Sequence, residues 1–277
     1  MRKVARIFFF TLAIGLAFVP GRAYSAPFLP DFSAATFTPG APVDNPYFPL
    51  LDNLTRVFSG QREDGGEIVT ERFELTNLGL GPKILGVQTT TQRDRAFENG
   101  VLIEDTFDHY AQDTNGNVWY FGEDTTSFEY DAEGNLVGTN NEGAWRGGVN
   151  GAQPGYSMPA DLTVGFNYYQ EFAPLDDAID QGQTFATGKK ISIGTGDFTN
   201  VLQVLETTEL APDDREFKYY AKGHGLILVE EALDSDLKNP EFRLELTQVV
   251  PEPTTFTLLG FGLAGIIGYR RSKKARR

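Results

Sequence analysis

The side chains that most often carry nucleophilic or metal chemistry are scarce in this chain. It has no cysteine and only two histidines, His109 and His224. A zinc site draws on histidine and cysteine, and a Ser-His-Asp triad needs one histidine as its base. His109 shares its parity with Phe107 in a predicted strand, which indicates a packed residue, and His224 lies in a Gly-His-Gly turn. The sequence therefore predicts a protein that is not an enzyme, without catalytic residues, metal ligands or a cofactor.

Carboxylates are abundant, and three adjacent pairs are formal candidates for glycoside hydrolysis, which uses two acids beside the bond that is cleaved. With 38 acids in the chain, such pairs are also expected by chance. The pairs are Glu104-Asp105, Glu123-Asp124 and Asp176-Asp177. A hydrolase that acts on surface glycans therefore stays an alternative.

One segment has the spacing of oxygen-bearing side chains that a calcium-binding loop requires. Asp113, Asn115, Asn117 and Asp124 occupy its first, third, fifth and last positions. The sixth position, which requires glycine, is Val118, and a strand-like aromatic run follows it. A β-hairpin is the favoured interpretation.

Aromatic side chains give a second possible binding chemistry, because exposed rings on a sheet or loop can stack on sugars. Trp119, Trp145 and Tyr156 are the candidates, but burial in the core is favoured for all three. Trp145 lies in the long segment Thr139–Asp161, which is rich in glycine and predicted to be irregular. We interpret Trp145 as a core plug rather than an exposed ligand contact.

The charge is strongly uneven along the chain. All 38 acids lie between Asp31 and Glu252, and ten of the 24 lysine and arginine residues lie in the two terminal segments. The part between them therefore has 14 basic residues against 38 acids, a net charge of −24. Such a charge repels nucleic acid and anionic lipid, so no nucleic-acid partner is expected.

The N-terminus has the pattern of a secretory signal peptide. Basic residues precede a short apolar run over residues 7–19, and small residues follow it. Cleavage between Ser25 and Ala26 places Ala23 and Ser25 at the small-residue positions, so signal peptidase is a predicted partner and residues 1–25 are the predicted signal peptide. With no cysteine, the exported part has no disulfide and must be stabilised by its core.

The C-terminus, residues 249–277, has three features in order. Pro251-Glu252-Pro253 precedes a predicted membrane segment, residues 254–269, and a basic tail over residues 270–277 begins with Arg270 and Arg271. The segment is shorter than the roughly 20 residues of a full span, and the basic tail is expected to stay cytoplasmic. A simple membrane anchor is the alternative to a signal that is processed.

This order resembles the PEP-CTERM sorting signal of bacterial surface proteins. The resemblance implies a Gram-negative host and an exosortase that reads and removes the tail at the inner membrane. It also implies a mature form at the cell surface or outside the cell, and a link to exopolysaccharide and biofilm.

Between the two ends, apolar residues alternate with polar ones, which is typical of antiparallel strands with one buried face. Examples are Val69–Leu75, Phe166–Phe172 and Phe242–Leu246, and β-branched runs at Ile84–Thr91 and Val201–Thr208 predict two more strands. Short helical turns are predicted only at Asp176–Gln183 and Glu230–Leu237.

Turn residues predict where the strands reverse. Asn99-Gly100, Asn115-Gly116 and Glu133-Gly134-Asn135 each lie between two strand-like runs, and Asn-Gly pairs suit tight hairpins. A proline-rich, extended lead-in over residues 26–44 precedes a β-rich domain over residues 45–248. The predicted fold is all-β, either an antiparallel sandwich or an open, curved half-barrel with terminal apolar segments.

Two short matches favour a duplicated β-unit as a variant of this fold. They are Phe107-x-x-Tyr110-Ala111 and Phe217-x-x-Tyr220-Ala221. The domain also resembles a class of bacterial exported β-domains of unassigned function, through runs such as Val164-Gly165-x-x-Tyr168 and Tyr219–Leu226. Some of that class resemble the half-barrel of lipoprotein carriers, so the resemblance adds a carrier of an apolar ligand as another alternative function.

The leading functional hypothesis is an exported, non-enzymatic protein of the cell surface or extracellular matrix, sorted by exosortase. The rivals are the glycan hydrolase and the apolar carrier.

Overall fold

The structure, a computed structural model, describes residues 26–52 and 54–251. The predicted signal peptide, membrane segment and basic tail lie outside these residues. Nearly all of the described chain that has regular structure is β-strand. The strands are β1 (Asp44–Asn45), β2 (Phe48–Pro49), β3 (Leu54–Asp64), β4 (Glu67–Ile84), β5 (Val87–Glu98), β6 (Val101–Gln112), β7 (Val118–Tyr130), β8 (Leu136–Asn140), β9 (Trp145–Arg146), β10 (Gln153–Met158), β11 (Asn167–Tyr169), β12 (Glu171–Phe172), β13 (Asp180–Ile193), β14 (Gly196–Thr208), β15 (Arg215–Ala221), β16 (Gly225–Glu231) and β17 (Phe242–Pro251).

Fifteen of these strands form one antiparallel sheet, and β1 and β2 form a separate hairpin. The strand order of the large sheet is β11-β13-β14-β15-β16-β17-β3-β4-β5-β6-β7-β10-β12, with β8 and β9 also paired to β7. The fold is therefore one sheet rather than two packed sheets.

The two ends of the sheet meet. Its edge strands, β11 and β12, are separated in the sequence by Gln170 alone, so they must be neighbours in space. Tyr169 pairs with β13 on one side of this point, and Glu171 pairs with β10 on the other. The sheet is thus a nearly closed half-barrel, which confirms the open, curved fold predicted from the sequence.

The three predicted hairpin turns are observed between β5 and β6, β6 and β7, and β7 and β8. Asn99 and Gly100 both have positive φ, 49° and 82°, as a tight hairpin turn of this type requires.

Two local predictions about strands and loops were wrong. The run Ile84–Thr91 is not one strand, because Leu85 and Gly86, with φ of 50° and 84°, turn the chain from β4 into β5. The segment Thr139–Asp161 is not irregular throughout, because it contains β9 and β10, which pair with β7. Both strands depend on a distant partner that local sequence does not reveal.

The two predicted helical turns are also wrong. Asp176–Gln183 is a turn followed by the start of β13, and Glu230–Leu237 is the end of β16 followed by a loop. Asp177 and Ala232 have positive φ, which interrupts a right-handed helix. The only helix among the described residues is the single 3₁₀ turn Phe32–Ala34, and no helix among them is long and apolar enough to cross a membrane.

The core has two parts that matter for the site. Large buried residues of β14–β17, such as Leu202, Leu228 and Leu244, form the main cluster. The lead-in packs against β7 through Phe32 and Phe37, whose rings meet Trp119 at 5.9 and 6.0 Å. The two matching pentapeptides lie in β6 and β15, and duplication remains a prediction.

Candidate functional site

The half-barrel encloses a cavity of about 160 Å³. Its lining is acidic, with nine carboxyl residues and two cationic ones, Arg56 and Lys218. The acids are Asp94, Glu104, Asp108 and Glu123 from β5–β7, Glu171 and Asp180 from β12 and β13, and Glu206, Glu216 and Glu231 from β14–β16. We call this space the acidic cavity.

The alternation of side chains along each strand determines which acids face the acidic cavity. On β6 the alternate residues Glu104, Thr106, Asp108 and Tyr110 line the cavity, because successive side chains of a strand point to opposite faces. Asp105, which lies between the first two, instead accepts hydrogen bonds from Arg93 at 2.7 and 2.6 Å.

The structure thus splits two of the predicted acid pairs. In Glu123-Asp124, Glu123 lines the cavity, whereas Asp124 accepts hydrogen bonds from the guanidinium of Arg146. The third pair, Asp176-Asp177, lies in the turn before β13 and does not line the cavity.

Asp108 and Glu123 share one tyrosine. The Tyr120 hydroxyl lies 2.6 Å from a carboxyl oxygen of each. A hydroxyl has a single proton to donate, so the second carboxyl group must be protonated and donate in turn. Burial raises the pKa of Asp108 to about 6, and burial together with the charge of Asp108 raises the pKa of Glu123 well above its ordinary value. The site therefore holds a shared proton.

On the other side of the cavity, Lys218 links two acids. Its Nζ lies 2.6 Å from Glu206 and 3.0 Å from Glu216. Burial alone would lower the pKa of Lys218, but the charges of the two glutamates outweigh it and hold that pKa well above its usual range. Burial raises the pKa of Glu216 to about 8. The charge of Lys218 is thus already shared between two partners.

The remaining acids of the cavity have fewer partners of opposite charge. Burial raises the pKa of Glu104 to about 7 and that of Asp180 to about 6, and it raises the pKa of Asp94 well above its ordinary value. Oδ1 of Asp94 is inaccessible and has no hydrogen-bond partner within residues 26–52 and 54–251. Arg56 donates to the His224 carbonyl at 3.0 Å and to Gln92, not to a carboxylate.

Four aromatic residues form one wall of the acidic cavity. Tyr110 stacks on Tyr120 with ring centroids 4.9 Å apart, and Phe48 contacts Tyr110 at 5.2 Å and Tyr220 at 6.2 Å. Phe48 comes from the β1–β2 hairpin, so the segment before β3 completes the cavity.

Both histidines lie outside the cavity lining. His109 is buried on the opposite face of β6, with Nδ1 3.0 Å from the Thr91 hydroxyl and Nε2 3.1 Å from Asp124. Thr91, His109 and Asp124 are arranged like the nucleophile, base and acid of a catalytic triad, but Thr91 is itself buried. Burial lowers the pKa of His109. The array around His109 is therefore a packed hydrogen-bond network. The other histidine, His224, lies in the β15–β16 turn.

The candidate calcium loop is a hairpin turn. Asp113 uses its carboxylate to accept hydrogen bonds from the backbone of Asn115 and Asn117 and from the Trp119 indole N–H at 2.9 Å. Its oxygens are thus already engaged, as the hairpin interpretation predicts. Among the residues that the structure describes, no cluster of histidine and acidic side chains has a metal-binding arrangement.

The aromatic candidates for sugar stacking are mostly buried. Trp119 and Trp145 are 1% and 3% exposed, and Tyr156 is half-buried against Trp119. The Trp145 ring meets Tyr120 edge-on at 5.4 Å, behind the aromatic wall. Trp145 is therefore the core plug that the sequence predicted.

The acidic cavity itself was not predicted. A signal was present, because polar or charged residues recur at every second position in β6 and β15, as in Glu104-x-Thr106-x-Asp108 and Glu216-x-Lys218. Polar residues on alternate positions are equally typical of a solvent-exposed face, so the pattern alone did not indicate an enclosed site.

The predicted processing residues lie mainly outside the described part of the chain. Ala26 is its first residue and is exposed, and Pro251 ends β17, where it pairs with Leu54. Ser25, Glu252, Pro253, Arg270 and Arg271 are not described, and the roles of all seven remain predictions.

The fold and the cavity define this protein as an antiparallel half-barrel with an acidic interior. At its C-terminus the chain carries a PEP-CTERM protein-sorting motif, matched over residues 249–272. The motif confirms the predicted route, which is export to the cell envelope or surface with exosortase as the processing machinery.

No curated protein matches this chain. Two solved structures overlap with it, each covering 74% of this chain and 98% of its own, with a TM-score of 0.35. One is a proposed exported protein with a YmcC-like fold from Bacteroides fragilis, at 9% identity, and the other is a proposed lipoprotein from Parabacteroides distasonis, at 10% identity. Similarity this low supports no inference about this chain.

Proposed function

We propose that this protein is an exported, non-enzymatic binding protein of the cell surface or extracellular matrix, and that the acidic cavity holds a small polar ligand. The observation that carries the proposal is the cavity, because it lies inside the half-barrel and is lined by many polar groups, among them an Asp94 oxygen that has no hydrogen-bond partner among the described residues. Concave sites with a few polar groups aimed inward are where small ligands bind.

The alternative of an apolar carrier is less consistent with this lining. An apolar ligand would contact the apolar part of the lining but would offer no hydrogen bond to Asp94 or to the other carboxyl groups beside it. Burying a polar group without a partner costs about 1–3 kcal/mol, and a charged group costs more. A polar occupant avoids that cost.

The hydrolase alternative meets a geometric difficulty at the best-defined pair of acids. A glycosidase keeps its two carboxyl groups about 5–9.5 Å apart with the sugar between them. A carboxyl oxygen of Asp108 and one of Glu123 instead each lie 2.6 Å from the Tyr120 hydroxyl, so this hydroxyl occupies the space between them that a sugar would need. This favours binding without turnover.

The processing steps and the biological setting follow from the sorting motif. Signal peptidase would act after Ser25 and exosortase at the C-terminal signal, with the precursor held at the inner membrane. The link to exopolysaccharide and biofilm rests on this route alone. The acidic lining argues that an anionic polysaccharide, if it is a partner, binds elsewhere than in the cavity.

Native mass spectrometry of the protein as it is isolated from its own host, in mild detergent where it is membrane-bound, tests the proposal. We expect a small polar molecule bound at one per chain, and no sugar release from surface glycans. Ser157→Leu, which fills the cavity, should abolish the bound mass, whereas Ser235→Leu in an exposed turn should not. Measurable glycan turnover, or a bound lipid, would overturn the proposal.

A further inference from the structure

We propose that the ligand of the acidic cavity is a small organic cation that carries a protonated amine. Its ammonium group would lie among the carboxylates and its carbon chain against the aromatic wall. The inference rests on the proposed binding function and specifies its ligand class.

The charge balance of the cavity is the first argument. Nine acids face two cations, and Lys218 is already shared by Glu206 and Glu216. Arg56 donates to a backbone carbonyl and to Gln92 instead of a carboxylate. Asp94 has one oxygen with no hydrogen-bond partner among the residues that the structure describes. A buried carboxylate is stabilised by an opposite charge that also donates hydrogen bonds, and an ammonium group supplies both.

Three hydroxyl groups are the second argument, independent of the acids. Tyr110, Ser157 and Tyr220 are 7%, 7% and 4% exposed and line the cavity. These hydroxyl groups form no hydrogen bond with a described residue, and they are not among the inaccessible polar atoms without a partner, so their oxygens are open to the cavity. A ligand in the cavity can therefore reach them. An amine ligand can donate to all three hydroxyl oxygens.

The aromatic wall is the third argument. Phe48, Tyr110, Tyr120 and Tyr220 present rings to the same space as the acids. An ammonium ion over such a ring is attracted by the negative face of the ring, and the carbon chain next to it buries apolar surface. An anion gains neither and is repelled by the lining.

The size of the cavity limits the ligand. A dry cavity of about 150 Å³ accommodates benzene, so about 160 Å³ suits a molecule of roughly six to ten non-hydrogen atoms. A bare divalent cation would leave most of this space unfilled, and the described acids show no metal-binding arrangement. A short diamine satisfies both the volume and the charge.

Isothermal titration calorimetry on the full-length chain in mild detergent, at physiological ionic strength, tests the inference with three probes of equal chain length. Putrescine is the diamine, butanediol its neutral counterpart and succinate its anionic counterpart. We expect putrescine to bind at one per chain, and butanediol and succinate to show no detectable heat of binding.

Two variants assign the binding to the cavity. Asp94→Asn removes from the lining one carboxyl group that can pair with the ammonium group, and it should weaken putrescine binding about 10-fold or more. Asp105→Asn removes a carboxyl group from the opposite face of the neighbouring strand and should leave the affinity within about 2-fold. If Asp94→Asn does not fold, Tyr110→Phe keeps the ring, removes the unpartnered hydroxyl and should weaken binding about 3- to 10-fold.

The contrary outcomes separate the two proposals. Equal weakening by Asp94→Asn and Asp105→Asn would mean nonspecific attraction to an acidic surface and would overturn the amine site. Binding of butanediol without putrescine would overturn the amine and keep the binding function. If no probe binds, the amine inference is wrong. The binding function is then decided separately, by native mass spectrometry of the ligand that the protein carries from its host.

Discussion

Glu104 and Asp105 are adjacent in the sequence, yet their carboxyl groups lie on opposite faces of β6. Glu104 lines the acidic cavity, and Asp105 forms an ion pair with Arg93 at 2.6 Å. Burial raises the pKa of Glu104 to about 7. Two adjacent residues therefore differ in their chemistry: Glu104 resists ionisation, whereas Asp105 is paired as an anion with Arg93.

This environment predicts an unusual dependence of stability on pH. The pKa values of Glu104, Asp180 and Glu216 are raised to about 7, 6 and 8 in the folded protein, whereas unfolded carboxyl groups titrate near 4. Between about pH 5 and pH 8 the folded state binds more protons, so the free energy of unfolding rises as pH falls. We expect the ligand-free protein to be more stable at pH 5 than at pH 8 by on the order of 1–3 kcal/mol.

Urea denaturation at the two pH values measures this difference. Glu104→Gln should make the protein less sensitive to pH, because it removes one of the groups that take up a proton. Asp105→Asn should leave the pH dependence unchanged. Higher stability at pH 8 in the ligand-free protein would contradict the prediction.

A second prediction concerns the closure of the sheet. Gly155 lies where β10 passes the junction of β11 and β12, and a side chain there would lie 2.6 Å from the backbone oxygen of Gln170. Gly155→Ala should therefore push the edges apart and destabilise the protein by about 1–3 kcal/mol.

Gly194→Ala is the matched control, because a methyl group at that position meets no atom within 4 Å. Thermal unfolding of the two variants gives the comparison. Equal melting temperatures would show that the closure tolerates an added side chain and that the edges are not held in close contact.

Trp145 offers a test of the core plug. It is 3% exposed and contacts Tyr120 behind the aromatic wall. Trp145→Ala should lower the free energy of unfolding by about 3–5 kcal/mol. Leu175→Ala, at a residue that is 77% exposed, should change it by less than about 0.5 kcal/mol. A stable Trp145→Ala protein would refute the plug.

The last prediction concerns sorting. Replacing Pro251, Glu252 and Pro253 by alanine should leave an unprocessed, membrane-retained form, because the motif at 249–272 is recognised as a unit. The fold should survive, since proline donates no hydrogen bond to the strand ladder. Immunoblots of membrane fractions measure the retained form. Replacing Pro212 and Asp213 in an exposed turn is the control, and an unchanged mature mass and location in the triple variant would refute exosortase recognition.

Local chemistry allowed part of this structure to be predicted. Asn99-Gly100 and Asn115-Gly116 form hairpins because these residues adopt the required backbone angles without help from distant contacts. The alternation of Phe242, Leu244 and Leu246 predicted which face of β17 lies in the core, because successive side chains of a strand point to opposite faces. The turn at Leu85-Gly86 was missed because leucine rarely adopts positive φ and carries no turn signal.

By itself the sequence determined that this protein is all-β, without disulfides, and carries a sorting signal at its C-terminus, because those properties depend on residue types and near neighbours. Only the tertiary structure decided that β11 and β12 meet at Gln170, and that Glu104 and Glu216 therefore face one enclosed space. Alternation assigns side chains to two faces of a strand. Which face becomes the interior depends on the curvature and closure of the whole sheet, and these arise from pairings between strands far apart in the chain.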